Sequence, residues 1–252
     1  TILLLHGIAQ QSHSWDLISL ALSHNYHVIA MDSRGHGDTE WPGNSDYSLE
    51  SHQADIDEFT KVLGLDRFIL IGHSMGGRNG YIFASQRPDL VRALVIVDTG
   101  PDGSSSSMRR IRQFISLPDE LDSYEEFADR VQKYTGRPLW LIHGSLKHSI
   151  RRLPNGKWTW KYDKAIRSPG FDPHIYSKRQ LWRCLEEIEC PVLIIRGELS
   201  DVFRQETMEQ MLQTMRNGRG VVIPDAGHLV PGDNPKLFLE TLTSFLTELK
   251  YN

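Results

Sequence analysis

Short runs of hydrophobic residues alternate along the chain with longer amphipathic stretches. Almost no polar residue interrupts these runs, which is typical of parallel strands that are covered on both faces of a sheet. The runs span residues 2–5, 27–31, 68–71, 93–97, 192–195 and 220–223. We therefore predict six strands in one mostly parallel sheet.

The stretches between the runs have apolar residues at helical spacing. Ser48 is a suitable N-cap for a helix that would end at Gly64. A second helix is predicted from Met75 to just before Pro88, and two more at residues 203–215 and 236–249. This order of strands and helices predicts an α/β protein, with a mostly parallel central sheet and helices on both of its faces.

The alternation is interrupted between residues 102 and 178, where helical pieces, several Pro and Gly residues and three Trp residues replace the strand runs. A stretch of this length is not one structureless loop in a compact domain. We predict that residues 102–178 form an inserted helical cap, and that residues 1–101 and 179–252 form the core. The cap would cover the C-terminal ends of the strands, where open α/β sheets bind ligands.

The composition is that of a globular protein, with 39% hydrophobic and 24% charged residues. No run approaches the roughly 20 apolar residues that span a bilayer. The net charge of −4 argues against a nucleic-acid-binding protein. Cys184 and Cys190 are too few for a disulfide framework and lack partners at metal-ligand spacing, so we expect reduced thiols, a cytoplasmic location and no metal site.

One short motif indicates chemistry most strongly, the segment Gly72-His73-Ser74-Met75-Gly76. It lies between a predicted strand and a predicted helix, which is the context that gives such a motif meaning. A serine on this tight turn needs small neighbours two residues away on each side, and glycine meets that need. We predict that Ser74 is a nucleophile.

A second glycine turn, His6-Gly7-Ile8, follows the first run. Gly7 would let the backbone approach the nucleophile closely. The backbone N–H groups of Ile8 and Met75 would then form an oxyanion hole, in which two donors face the charge that develops on a carbonyl oxygen.

A serine hydroxyl needs an adjacent base, and His228 is the strongest candidate because it follows the last strand run. The acid that orients the imidazole should also follow a strand at the same edge of the sheet. We choose Asp201, which follows the run at residues 192–195. Asp98, which directly follows the run at residues 93–97, and Glu198 are the alternatives.

These residues together resemble the α/β-hydrolase superfamily, and the resemblance covers nearly all of the chain outside the predicted cap. The loop at residues 32–37, Asp-Ser-Arg-Gly-His-Gly, is similar to the family's loop after its second central strand. The resemblance implies a triad of Ser74, Asp201 and His228, and two further strands ahead of the first run. The family's usual acid position falls on Ser200, so we expect a loop that is longer by one residue.

The predicted mechanism is acyl transfer to Ser74, which requires no metal or organic cofactor. A serine nucleophile disfavours dehalogenases and epoxide hydrolases of this fold, because their alkyl-enzyme ester requires a carboxylate. A carboxylesterase is the leading hypothesis. A lactonase, a C–C bond hydrolase or a perhydrolase with the same triad remains an alternative, as does a non-catalytic small-ligand receptor or a partner-binding protein.

Features around the predicted site suggest how a small ester-like substrate would bind. Gly7, Trp41 and Trp140 are candidate contacts. Residues 137–183 contain eleven Lys or Arg and two Asp, a local charge of +9 in an acidic protein. This charge would suit an anionic substrate, and the alternative is a solvated face that packs against the acidic core.

Overall fold

A computed structural model of the protein describes residues 1–168 and 176–251. Asp172 and His174, which belong to the predicted cap, lie outside the described residues.

Six parallel strands form the central sheet, as the hydrophobic runs predict. They are β1 (Ile2–Leu5), β2 (Val28–Met31), β3 (Phe68–His73), β4 (Val91–Val97), β7 (Val192–Gly197) and β8 (Gly218–Ile223). Their order across the sheet is β2-β1-β3-β4-β7-β8. The central strands β3 and β4 are therefore neighbours, and β7 follows β4, which brings three strand ends together at the middle of one edge.

Successive side chains of the inner strands are buried on opposite faces of the sheet, which explains the uninterrupted hydrophobic runs. Leu3, Leu70 and Ile194 belong to a cluster on one face. Leu4, Ile71 and Ile195 belong to a cluster on the other face. An alternating polar pattern would have left one of these faces open to water.

Ten α-helices lie in the described part of the chain. They are α1 (Asp16–Leu22), α2 (Leu49–Val62), α3 (Met75–Gln86), α4 (Ser105–Ile115), α5 (Tyr124–Thr135), α6 (Leu139–Ser149), α7 (Lys178–Glu186), α8 (Gln205–Thr214), α9 (Val230–Asp233) and α10 (Pro235–Tyr251). Residues of α2, α3, α7 and α8 pack on the first face of the sheet. Residues of α1, α9 and α10 pack on the second. The layered α/β architecture predicted from the sequence is confirmed.

The start of α2 shows how the sequence defines a helix locally. The Ser48 side chain accepts a hydrogen bond from the N–H of Ser51, which satisfies one of the free amides of the first turn. At the other end, Gly64 adopts a φ of +61° and ends the helix. The observed bounds agree with those predicted from these two residues.

The segment between β4 and β7 has a hydrophobic cluster of its own. It includes Phe127, Leu146 and Trp160, and Ile8 of the core packs against it. Besides α4, α5 and α6 it contains a short antiparallel pair, β5 (Ile150–Arg152) and β6 (Trp158–Trp160). The sequence predicted helices only, because strands of three residues leave no detectable pattern. The division at residues 102 and 178 remains a prediction.

Among residues 1–168 and 176–251, no helix combines the length and the apolar character needed to cross a membrane.

Burial of α10 on the sheet gives a test of the core. Phe238 is fully buried, and we expect Phe238→Ala to lower the free energy of unfolding by about 3–5 kcal/mol because it leaves a cavity. Leu20→Ala is the control, since Leu20 of α1 is 67% exposed and should cost little. Urea denaturation followed by circular dichroism measures both. Equal losses in the two variants would contradict this account of the core.

Candidate active site

The turn between β3 and α3 holds Ser74 in a strained backbone conformation. Ser74 has a φ of 51° and a ψ of −114°, which residues with a side chain rarely adopt. Two glycines make room for this turn. A Cβ atom on Gly72 would lie 2.2 Å from the carbonyl oxygen of Gly76, and one on Gly76 would lie 2.3 Å from that of Leu5. The glycines flanking Ser74 are therefore required by close backbone contacts.

His228 connects the Ser74 hydroxyl to a buried carboxylate. Nε2 of His228 lies 3.0 Å from Oγ of Ser74, and Nδ1 lies 2.7 Å from Oδ2 of Asp98. Because a carboxylate accepts hydrogen bonds, we assign the ring proton to Nδ1. Nε2 is then free to accept the hydroxyl proton. This arrangement is the one in which an imidazole acts as a base toward serine.

The carboxylate of Asp98 is fully buried, and hydrogen bonds satisfy both of its oxygens. Oδ1 accepts the N–H of Gly197 at 2.9 Å, and Oδ2 accepts the hydroxyl of Ser200 in addition to the imidazole. The N–H of Asp98 donates to the carbonyl oxygen of Ile195 at 2.8 Å. The end of β7 therefore fixes this carboxylate against His228.

The structure does not place Asp201, the sequence-based choice of the acid, beside His228. The Asp201 side chain is 44% exposed and forms an ion pair with Arg110 at 2.6 Å. Ser200, at the family's usual acid position, donates its hydroxyl to Asp98. Glu198, the weakest candidate, accepts the N–H of Asp225 at 3.2 Å. A serine at the usual position, together with an aspartate directly after β4, was the available signal in the sequence.

The loop after β1 lies against the Ser74 turn. The carbonyl oxygen of His6 accepts the N–H of Gly76 at 3.1 Å. Gly7 is in close contact, since a Cβ atom there would lie 2.9 Å from Nδ1 of His73. In the part of the chain that the structure describes, the N–H groups of Ile8 and Met75 have no protein acceptor. Both amides are therefore available to a ligand beside Ser74.

A family model described as the alpha/beta hydrolase fold matches residues 1–235. The chain belongs to the α/β-hydrolase family.

Several relatives of this α/β hydrolase have names that describe hydrolysis. Esterase Rv0045c of Mycobacterium tuberculosis is 27% identical, over 97% of this chain and 82% of its own length. The 3-hydroxybutyrate-oligomer hydrolase of Cupriavidus necator is 27% identical, over 88% of this chain and 80% of its own length. The crystal structure of E-2-(acetamidomethylene)succinate hydrolase matches with a TM-score of 0.87 and 24% identity, over 98% and 91% of the two chains, which shows a shared fold. At family level, these matches support ester hydrolysis.

The predicted substrate contacts of this α/β hydrolase differ in their surroundings. Gly7 borders the Ser74 turn. Trp41 is half-buried, and the Arg151 guanidinium lies 5.0 Å from the centre of its ring. Trp140 on α6 is 75% exposed, so the structure does not support it as a pocket wall.

The positive charge of residues 137–183 is largely paired. Seven of the eleven basic residues form ion pairs, among them Lys161 with Asp38 and Arg167 with Asp119. Within residues 1–168 and 176–251, four have no acidic partner: Lys147, Arg151, Arg152 and Arg179. Two of these pairs reach acids of the predicted core, Asp38 and Asp233, and most of the others lie within residues 102–178. The pairing weakens the case for a field that attracts anionic substrates.

Arg137 links the segment between α5 and α6 to the loop that carries His228. Its guanidinium donates to Oδ1 of Asp233 at 2.6 and 2.9 Å and to the carbonyl oxygen of Leu229 at 3.0 Å. The other oxygen of Asp233 accepts the N–H of Gly227 at 3.0 Å. The residues on both sides of His228 are therefore held through one arginine.

Four buried histidines have lowered pKa values. Burial lowers the pKa of His6, His36 and His73, and lowers that of His52 to about 4. In His6, Nδ1 donates to the carbonyl oxygen of Gly7 at 2.8 Å and Nε2 accepts the N–H of Ser33 at 3.0 Å. The neutral imidazole therefore suits the hydrogen bonds of His6.

These lowered pKa values predict a loss of stability in mild acid. Below about pH 6.5, histidines in the unfolded chain take up protons that the folded chain excludes, so stability falls with pH between about 6.5 and 5. Each such proton changes stability by about 1.4 kcal/mol per pH unit. Urea midpoints at several pH values measure the slope. His52→Gln should make it shallower, and an unchanged slope would contradict the assignment.

Proposed function

We propose that the protein is a serine hydrolase that cleaves a carboxylic ester bond of a small molecule through an acyl-enzyme. The observation that carries this proposal is the position of the His228 ring between the Ser74 hydroxyl and the buried carboxylate of Asp98. The family match and the two relatives named for ester-type hydrolysis support the substrate class.

In the proposed reaction, Oγ of Ser74 attacks the carbonyl carbon while Nε2 of His228 takes the hydroxyl proton. The bond to the leaving alcohol then breaks, and His228 gives the proton to the alcohol oxygen. Water attacks the acyl-enzyme along the same path and restores Ser74. Asp98 orients the imidazole and stabilises its charged form.

The negative charge on the carbonyl oxygen would be stabilised by the N–H groups of Ile8 and Met75. Their lack of a protein acceptor supports this role. The N-terminus of α3 adds a favourable field at the same place. Each such donor contributes about 3 kcal/mol to transition-state stabilisation.

A lactone is a cyclic ester, so the same residues would also open a lactone ring. Two features of the site bear on the choice of substrate. Trp41 with the Arg151 side chain stacked on it is the aromatic contact that we retain from the sequence. The pairing of most basic residues gives no preference for an anionic substrate. Rates of hydrolysis across a panel of esters and lactones would show which of these bonds the enzyme cleaves.

Covalent labelling gives the most direct test of the nucleophile. A fluorophosphonate probe should label the folded protein at Ser74, because only an activated serine reacts rapidly with it. Peptide mass spectrometry locates the label. Ser74→Ala should abolish labelling, whereas Ser23→Ala, at an exposed serine of no proposed role, should not. Absence of a label on folded wild-type protein would overturn the proposed function.

A matched pair of variants tests the acid. Asp98→Asn should lower kcat for a p-nitrophenyl ester by about 10⁴-fold, because the amide favours the wrong tautomer of His228. Asp201→Asn should have little effect, since Asp201 contacts Arg110 at the surface. Circular dichroism checks that both variants fold. A large loss with Asp201→Asn and a small one with Asp98→Asn would return the role to Asp201.

A further inference from the structure

Two imidazoles and a carboxylate meet on the surface, where the chain after β1 contacts the end of α6. His13 lies in a short 3-10 helix, Asp16 begins α1, and His148 lies in the last turn of α6. One nitrogen or oxygen atom from each lies within 4.8 Å of the others. None of the three takes part in the proposed hydrolysis. Their purpose is therefore a separate question.

His13 and Asp16 hold their ligand atoms at a spacing that suits one metal ion. Nδ1 of His13 lies 3.1 Å from both carboxylate oxygens of Asp16. An ion about 2.1 Å from each of two such atoms would bind with an angle of about 95° between them, which tetrahedral and octahedral ions accept. The His148 ring stacks on that of His13, with centroids 3.7 Å apart. Because a ring nitrogen binds a metal in the plane of its ring, the His148 ring must rotate out of this stack before its nitrogen faces the same ion.

The surroundings leave two of the ligands accessible to solvent and place positive charge near the third. The side chains of His13 and Asp16 are about half exposed. The positive charges of Lys147 and Lys161 act on His148. Of the two lysines that act on His148, Lys161 is already paired with Asp38. The Lys147 charge remains, so we expect a weaker site than a buried structural one.

We propose that His13, Asp16 and His148 bind Zn²⁺, or another divalent ion that prefers imidazole ligands, and that the ion links α6 to the core. Two histidines and one carboxylate leave at least one position for water, as in three-ligand zinc sites. The hydrogen bond from Nε2 of Gln11 to Oγ of Ser149, at 3.2 Å, already joins the same two segments. A bound ion would strengthen this connection.

The link would also join the predicted cap to the chain after β1. The chain after β1 carries the amide of Ile8, and α6 belongs to the segment that packs against Ile8. An ion that joins His13 to His148 would restrain relative motion of these two parts. Because the ion binds the folded state, it should raise the melting temperature, and the rise should grow with the logarithm of the ion concentration once this exceeds Kd.

Calorimetric titration of ZnCl₂ into the chelator-treated full chain tests the site. Wild-type protein should bind one ion per chain. His13→Gln, Asp16→Asn and His148→Gln should each weaken binding at least tenfold, and ZnCl₂ should raise the melting temperature of wild type but not of His148→Gln. His143→Gln, which removes an exposed histidine from the same helix, should bind as wild type does.

A second comparison separates this site from the proposed triad. His228→Gln should retain wild-type zinc affinity, because its ring belongs to a different site. Loss of zinc binding in His228→Gln, or wild-type affinity in both His13→Gln and His148→Gln, would overturn the proposal. Heat of binding is measured without substrate, so failure here leaves the proposed hydrolysis untouched.

Discussion

The hydrogen bond between Asp98 and His228 is the interaction on which the rest of the site depends. A buried carboxylate is costly unless its oxygens are satisfied, and here an amide, a hydroxyl and an imidazole satisfy them. Asp98 follows β4, whereas the donors lie at the end of β7, just after β7 and after β8. The buried carboxylate is therefore satisfied where β4, β7 and the loop after β8 meet. This requirement fixes the position of His228 relative to Ser74.

Most of the fold could be predicted from the sequence because burial on both faces of a parallel sheet leaves a simple signal. Strands and helix ends are defined by neighbouring residues in the chain. Examples are the six runs of apolar residues and the helix-end residues Ser48 and Gly64. The acid could not be predicted in the same way. The ends of β4 and β7 lie side by side, and the choice between Asp98 and Asp201 depends on the direction in which one loop turns.

Two other features could not be predicted from the sequence for the same reason. His13 and His148 are separated by 135 positions in the chain, so no ligand spacing reveals them. The excess of basic residues at positions 137–183 is genuine, but several of the acids that pair with it, including Asp38, Asp119 and Asp233, lie outside that window. Both features depend on contacts between distant segments, which a local count of residues does not detect.

The bridge from Arg137 to Asp233 and Leu229 couples two parts of the molecule that differ in role. A guanidinium with charge-assisted bonds to one carboxylate and one carbonyl is not released without a substantial loss of energy. If the segment between α5 and α6 moved outward, it would move the backbone on both sides of His228. The imidazole ring would then lose its alignment with Ser74. A ligand passage that keeps the His228 ring aligned with Ser74 must therefore open somewhere other than between α5 and α6.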